Sequence, residues 1–163
     1  MRRFLESHLA SSQVARVVYG AIIGLALVVA LEAHPPGSGA VVATLLGTAV
    51  AVGLAEVYSE TLGAEVRARR RVEGQRMRSI WADTAAVFVG IAFPAVFFLL
   101  SALGALDVDT AFDLAKWSGL GLIALYGFVG ARLGGASLTS ALIKSLAVAL
   151  IGAFLIALKA LVH

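Results

Sequence analysis

Five continuous apolar runs, each close to the ~20 residues a helix needs to cross a bilayer, occupy most of the 163-residue chain. They cover residues 17–33, 40–58, 84–106, 114–131 and 145–162 and are rich in Ala, Leu, Val and Gly. Lipid offers no partner to a backbone N–H or C=O, so a spanning segment is either a helix or a strand of a closed barrel. Barrel strands alternate apolar and polar residues over ~10 positions, and these runs do not. The expected fold is therefore all-α, a polytopic membrane protein with five transmembrane helices in one domain, residues 1–163. Only 14% of the residues are charged, against about 25% in a soluble domain. That deficit excludes a soluble enzyme and a disordered tail. The absence of cysteine excludes a disulfide scaffold, thiolate metal sites and cysteine nucleophiles.

The connections separate the runs. His34-Pro35-Pro36-Gly37-Ser38-Gly39 is a turn that no helix can continue through. Leu106-Asp107-Val108-Asp109-Thr110 is a second, with Asp109-Thr110 as the expected helix cap. Gly134-Gly135-Ala136-Ser137 is a third. Between the second and third spans, residues 60–80 form a basic linker, expected to carry the second helix into water before turning near Gly74. Residues 1–16 read as an amphipathic segment on the inner membrane surface, with Phe4, Leu5 and Leu9 set against Arg2, Arg3 and Glu6. They are not a cleaved signal, because Leu31-Glu32-Ala33-His34 is a poor cleavage site.

Orientation follows from the basic residues. Arg2, Arg3, Arg16, Arg67, Arg69, Arg70, Arg71, Arg76, Arg78, Arg132 and Lys144 fall on one side, and only Lys116 and Lys159 on the other. The positive-inside rule puts that first side in the cytoplasm, with the N-terminus inside and the C-terminus outside. The expected location is a bacterial-type plasma membrane.

An acid at membrane depth is costly and is a functional candidate by default. Glu56 and Glu60, four residues apart near the inner end of the second span, share a helix face with Ser59 close by. Carboxylate and hydroxyl oxygens so placed suit a relayed proton or a hard divalent cation, so Glu56 and Glu60 are the candidate metal ligands. The plainer reading pairs both acids with Arg67 or Arg69 at the headgroup layer. Glu32 and His34 are the candidates for an outer vestibule. Asp83 reads as a helix start, and Asp107, Asp109 and Asp113 as an acidic outer rim. Gly20 and Gly24 form a small-residue motif for close helix packing, and Pro94 marks a break in the third span. Trp81 and Tyr58 inside, with Trp117 outside, read as interfacial anchors. Arg67, Arg69, Arg70, Arg71, Arg76 and Arg78 suit anionic lipid of the inner leaflet. Without aromatic platforms they do not suit nucleic acid. No nucleotide loop, metalloprotease pair, catalytic triad or selectivity-filter motif is present, so neither enzymatic activity nor a bound cofactor is expected.

Val18-Tyr19-Gly20-Ala21-Ile22-Ile23-Gly24-Leu25 resembles the VFGANDG-like opening of the first helix in the vacuolar iron transporter family. Ala55-Glu56-Val57-Tyr58-Ser59 is similar to the glutamate-bearing end of that family's second helix. The Pro94 helix, the stretch 127–133 and the helix 140–161 resemble its last three spans, so the likeness covers nearly the whole chain in order. It implies a five-helix homodimer exchanging a divalent metal for protons. Three departures stand out. The family's Asn-Asp pair is Ile22-Ile23, its second-helix methionine is Ala64, and its cytoplasmic metal-binding domain is reduced to the basic linker.

Two functions of different class follow. One is cation transport, proton-coupled through Glu56, with metal as cargo. The other is a non-transporting subunit or scaffold that binds anionic lipid or a partner protein. The first expects Glu56 against a hydrated cavity or a dimer axis, and the second expects it packed against an arginine. The orientation has a direct check. An Arg70→Cys variant of this cysteine-free chain should react with a membrane-impermeant maleimide from the cytoplasmic face only, and labelling from outside would overturn it.

Overall fold

The computed structural model describes residues 2–162, with side chains described for 13–154, 156 and 157. Six α-helices follow one another: α1 Arg2–Leu31, α2 Ser38–Ala68, α3 Gly74–Ala92, α4 Ala95–Ala102, α5 Val108–Leu133 and α6 Leu138–Val162. Among the described residues there is no strand. Three helices are long and apolar enough to cross a membrane: α1 from Gln13, α2 and α5. The α3–α4 pair qualifies as a fourth if its two halves, bent by 48°, are taken as one span. In α6, residues Leu138–Phe154 form a shorter apolar helix. The expected amphipathic segment is helical and continuous with α1; the side chains that would decide its polarity lie outside the described residues.

The breaks fall where local chemistry puts them. The turn after α1 holds Pro35 and Pro36. Pro94, buried, lacks the N–H that would continue α3 and becomes the cap residue of α4. The second helix runs ten residues past Tyr58 before the chain reverses at residues 69–73. Its 31 residues span about 46 Å at 1.5 Å each, which is about half as long again as a ~30 Å hydrocarbon core is thick. It ends on Arg69 in the left-handed region, φ 52°, a conformation usually left to glycine. The cap of α5 is Asp107 rather than Asp109. The helix starts at Val108, so the Asp107 carboxylate is the one placed to accept from the Thr110 N–H, at 2.8 Å, and from its hydroxyl, at 2.7 Å. Those two bonds hold the Asp107 carboxyl below its ordinary range.

The first helix sits at the centre, packed on α3 along one side and on α5 and α6 along the other. The second lies outside α3 and α4. One half of the core joins Val28, Val41, Leu45, Phe98 and Phe112, with the two phenylalanine rings edge to face at 4.8 Å. Leu25 and Ile123 fill the seam between α1 and α5. Much of the apolar surface faces outward instead. Leu46, Val50, Leu54, Tyr58, Leu62 and Val66 form one exposed stripe on α2, and Leu138, Leu142, Leu146, Leu150 and Phe154 another on α6. Surfaces of this size and apolarity belong against lipid or another helix, not water.

Gly20 and Gly24, the small-residue motif for close helix packing, are used inside the chain. A Cβ on Gly20 would overlap the carbonyl oxygen of Val87, and one on Gly24 would lie 3.0 Å from that of Ile91. Gly90 reciprocates from α3, where a Cβ would lie 2.6 Å from the Ala21 nitrogen. The two backbones touch through these positions, so the glycines fix a contact of α1 with α3 and are not open to a second copy. Gly20→Ala should therefore destabilise by about 1–3 kcal/mol or more through overpacking. Gly47→Ala, where a Cβ meets nothing within 4 Å, should be neutral or stabilise by about 0.5–1 kcal/mol. Thermal melts in detergent check this, and equal melting of the two variants would contradict the contact.

Candidate functional site

The close approach of α1 and α3 sets the stretch of α1 around Arg16 beside α2, where three charged side chains meet. Arg16 Nη1 pairs with Glu56 Oε1, and Arg16 Nη2 donates to Glu60 Oε1 at 2.7 Å. One guanidinium thus serves two carboxylates, which the four-residue spacing on α2 stacks on one helix face. Arg76 of α3 reaches Glu60 Oε2 only at 3.8 Å. Burial is graded across the cluster: the Glu56 side chain is 10% exposed, while Arg16 and Glu60 are 27% and 28% exposed. The second Glu56 oxygen, Oε2, is buried with no hydrogen-bond partner. The cluster borders a groove of about 610 Å³ whose wall includes Tyr19, Val52 and Ser59.

Arg16 is shared by both carboxylates and Arg76 stands by Glu60, so the acid left incompletely matched is Glu56, at its second oxygen. A buried charge is stable only when paired and hydrogen-bonded, and here the orphan is an acceptor. The unmatched Glu56 oxygen is an acceptor for one proton or one small cation. A divalent metal bound by both glutamates would have to displace the guanidinium that now bridges them. Among the described residues, no three His, Cys, Asp or Glu side chains cluster to hold a metal.

The remaining candidates are dispersed. Ser59 shares the groove, but its hydroxyl donates to the Glu56 backbone carbonyl at 3.1 Å. The expected partners of Glu60, Arg67 or Arg69, give way to Arg16 and Arg76, because antiparallel packing brings α1 to the depth of Glu60 while Arg69 ends the helix. Glu32 closes α1 against α5, where Lys116 Nζ lies 2.6 Å from it and 3.0 Å from Asp113. That is a latch between helices rather than an open vestibule. His34 is exposed in the turn that follows. Arg67, Arg69, Arg70, Arg71, Arg76 and Arg78 are all exposed around the α2–α3 turn, with Arg70 paired to Glu73 at 2.8 Å. Pro94 acts at the α3–α4 bend, far along the chain from the cluster.

Arg16 and Tyr19 are the site residues the sequence reading missed. Arg16 had been counted only as an inner-side charge. The signal was there, since the residue just before an inward-starting span lies at the same depth as the last acids of the next, outward-starting one.

No family model, curated protein or solved structure matches this chain. The class rests on the helices themselves, which are those of an all-α, membrane-integral protein.

Arg16→Gln should destabilise the protein by on the order of 3 kcal/mol, since it strands two partly buried carboxylates. Adding Glu56→Gln should recover part of that loss. A double-mutant cycle of detergent melts checks this, and strictly additive losses would mean that the pair is not energetically coupled.

Proposed function

We propose that the chain is a small permeation protein for a cation, with proton exchange at Glu56 as the coupling step. The observation that carries this reading is the Glu56 carboxylate, nine-tenths buried, held by Arg16 through one oxygen and unpartnered at the other, beside a groove large enough for water. Ionisable groups at such depth are expensive and are retained chiefly on ion and proton paths. Protonation of Glu56 leaves Arg16 to Glu60, and loss of that proton restores the pairing with both acids. Arg16 then serves as a tethered counter-ion, holding the site when no transported ion is there. A divalent metal, the cargo implied by the resemblance to vacuolar iron transporters, would engage Glu56 and Glu60 only as Arg16 withdraws. The reading includes five crossings, with the bent α3–α4 pair as the third and α6 as the fifth, the N-terminus inside and the C-terminus outside. The homodimer implied by that resemblance would use a face other than Gly20 and Gly24.

The Arg16 pairing itself favours a second reading, a non-transporting subunit in which the cluster only ties α1 to α2. Flux separates the two. In proteoliposomes, iron, manganese, cobalt and potassium uptake is measured with and without a proton gradient. Gradient-dependent flux in the wild type, abolished in Glu56→Gln while that variant still expresses and reconstitutes as folded protein, supports transport. Flux unchanged by Glu56→Gln sinks the mechanism, and a wild type silent for every ion leaves the scaffold reading.

A further inference from the structure

We propose that the crevice between α2 and α3 binds one anionic phospholipid, its phosphate at the arginines of the α2–α3 turn, its glycerol esters near Thr84 and an acyl chain laid along the crevice from there towards Phe88. This site is separate from the Arg16 cluster and does not depend on the transport reading.

The crevice encloses about 330 Å³ between walls that include Gly53, Leu54, Trp81 and Phe88. It is apolar except at one point. Thr84 is 6% exposed, and its hydroxyl has no hydrogen-bond partner within the described protein. Leaving a buried hydroxyl unmatched is unfavourable, and an occupant carrying an ester oxygen would match it.

Geometry links this hydroxyl to the arginines. Trp81, Thr84, Ala85 and Phe88 follow one another at helical spacing and share a face of α3. One turn earlier, that face carries Arg78. Six residues separate Arg78 from Thr84, about 9 Å of helix, whereas the headgroup layer is roughly 5–8 Å deep on each side. A phosphate held at the level of Arg78 therefore sets its glycerol esters near Thr84, with Trp81 between them at the depth where indoles concentrate. At the turn itself, Arg70, Arg71 and Arg76 border a smaller recess of about 110 Å³. Guanidinium forks match phosphate oxygens. Their number favours a headgroup with net negative charge over a zwitterionic one, whose own cation the arginines repel. Exposed arginines alone would attract any anionic surface. The crevice with its unmatched hydroxyl adds a place for a single chain.

The test uses the full-length protein in nanodiscs of mixed phosphatidylglycerol and phosphatidylcholine, released for native mass spectrometry. The wild type should retain one phosphatidylglycerol and discriminate against phosphatidylcholine. Ala85→Trp, which fills the crevice from an exposed position, should lose the retained lipid. Thr84→Val, nearly isosteric and free of the unmatched hydroxyl, should fold normally and retain less. Arg71→Gln and Arg78→Gln should each weaken the preference about fivefold, the value of one basic side chain near an anionic surface. Equal retention of both lipids by the wild type overturns the proposal. So does undiminished retention in either crevice variant, or a lipid-free dimer in which a second copy covers the crevice.

Discussion

Glycine at three positions lets the backbones of α1 and α3 touch, and the placement of the other helices depends on that contact. In a bilayer, lipid tails compete on equal terms with apolar side chains, so close backbone approach and dispersion do the work that the hydrophobic effect does in water. With Gly20 and Gly24 against Val87 and Ile91, and Gly90 against Ala21, α1 becomes the axis of the bundle. It presents one flank to α3 and the other to α5 and α6. The second helix is then held outside α3 and meets α1 only lightly. At the level of Arg16, what passes between α1 and α2 is electrostatic.

That electrostatic link is uneven. One guanidinium bridges two carboxylates, and the more buried of the two keeps an oxygen without a partner. A purely structural ion pair is most stable when every lone pair is matched, because desolvation of the ions must be offset in full. The mismatch at Glu56 sits beside a groove, where a proton or cation can complete it. At the C-terminal end of α1, Lys116 is held by both Glu32 and Asp113, an arrangement with one cation more fully matched by acids. The two levels of α1 thus differ in kind: Glu32 is latched to Lys116, while Glu56 beside Arg16 keeps an unmatched oxygen.

Much of the architecture was legible because helix breakers are local. Pro35-Pro36, Pro94 and the Gly134-Gly135 pair announce their turns whatever packs around them, and α2 runs on past Tyr58 into the polar stretch as expected. What stayed hidden depends on partners. A Gly-x-x-x-Gly pattern says that a helix can come close but not which one, and here it is α3 of the same chain. The Asp107 cap was misplaced by two residues because both aspartates are good caps and only the start of the helix chooses between them. Arg69 in the left-handed region has no sequence signature, since glycine is the usual occupant. Glu56 was readable as a costly acid, but its bond to Arg16 required knowing how far α1 and α2 overlap in depth.

The central claim is that the Arg16–Glu56–Glu60 cluster carries one exchangeable proton. Infrared difference spectroscopy of the protein in lipid bilayers, stepped in pH, reads this directly from the carbonyl stretch of a protonated carboxyl. The account predicts a titrating band in the wild type that is absent in Glu56→Gln. A spectrum with no such band at any pH where the fold persists, or a band that survives unchanged in Glu56→Gln, would contradict it.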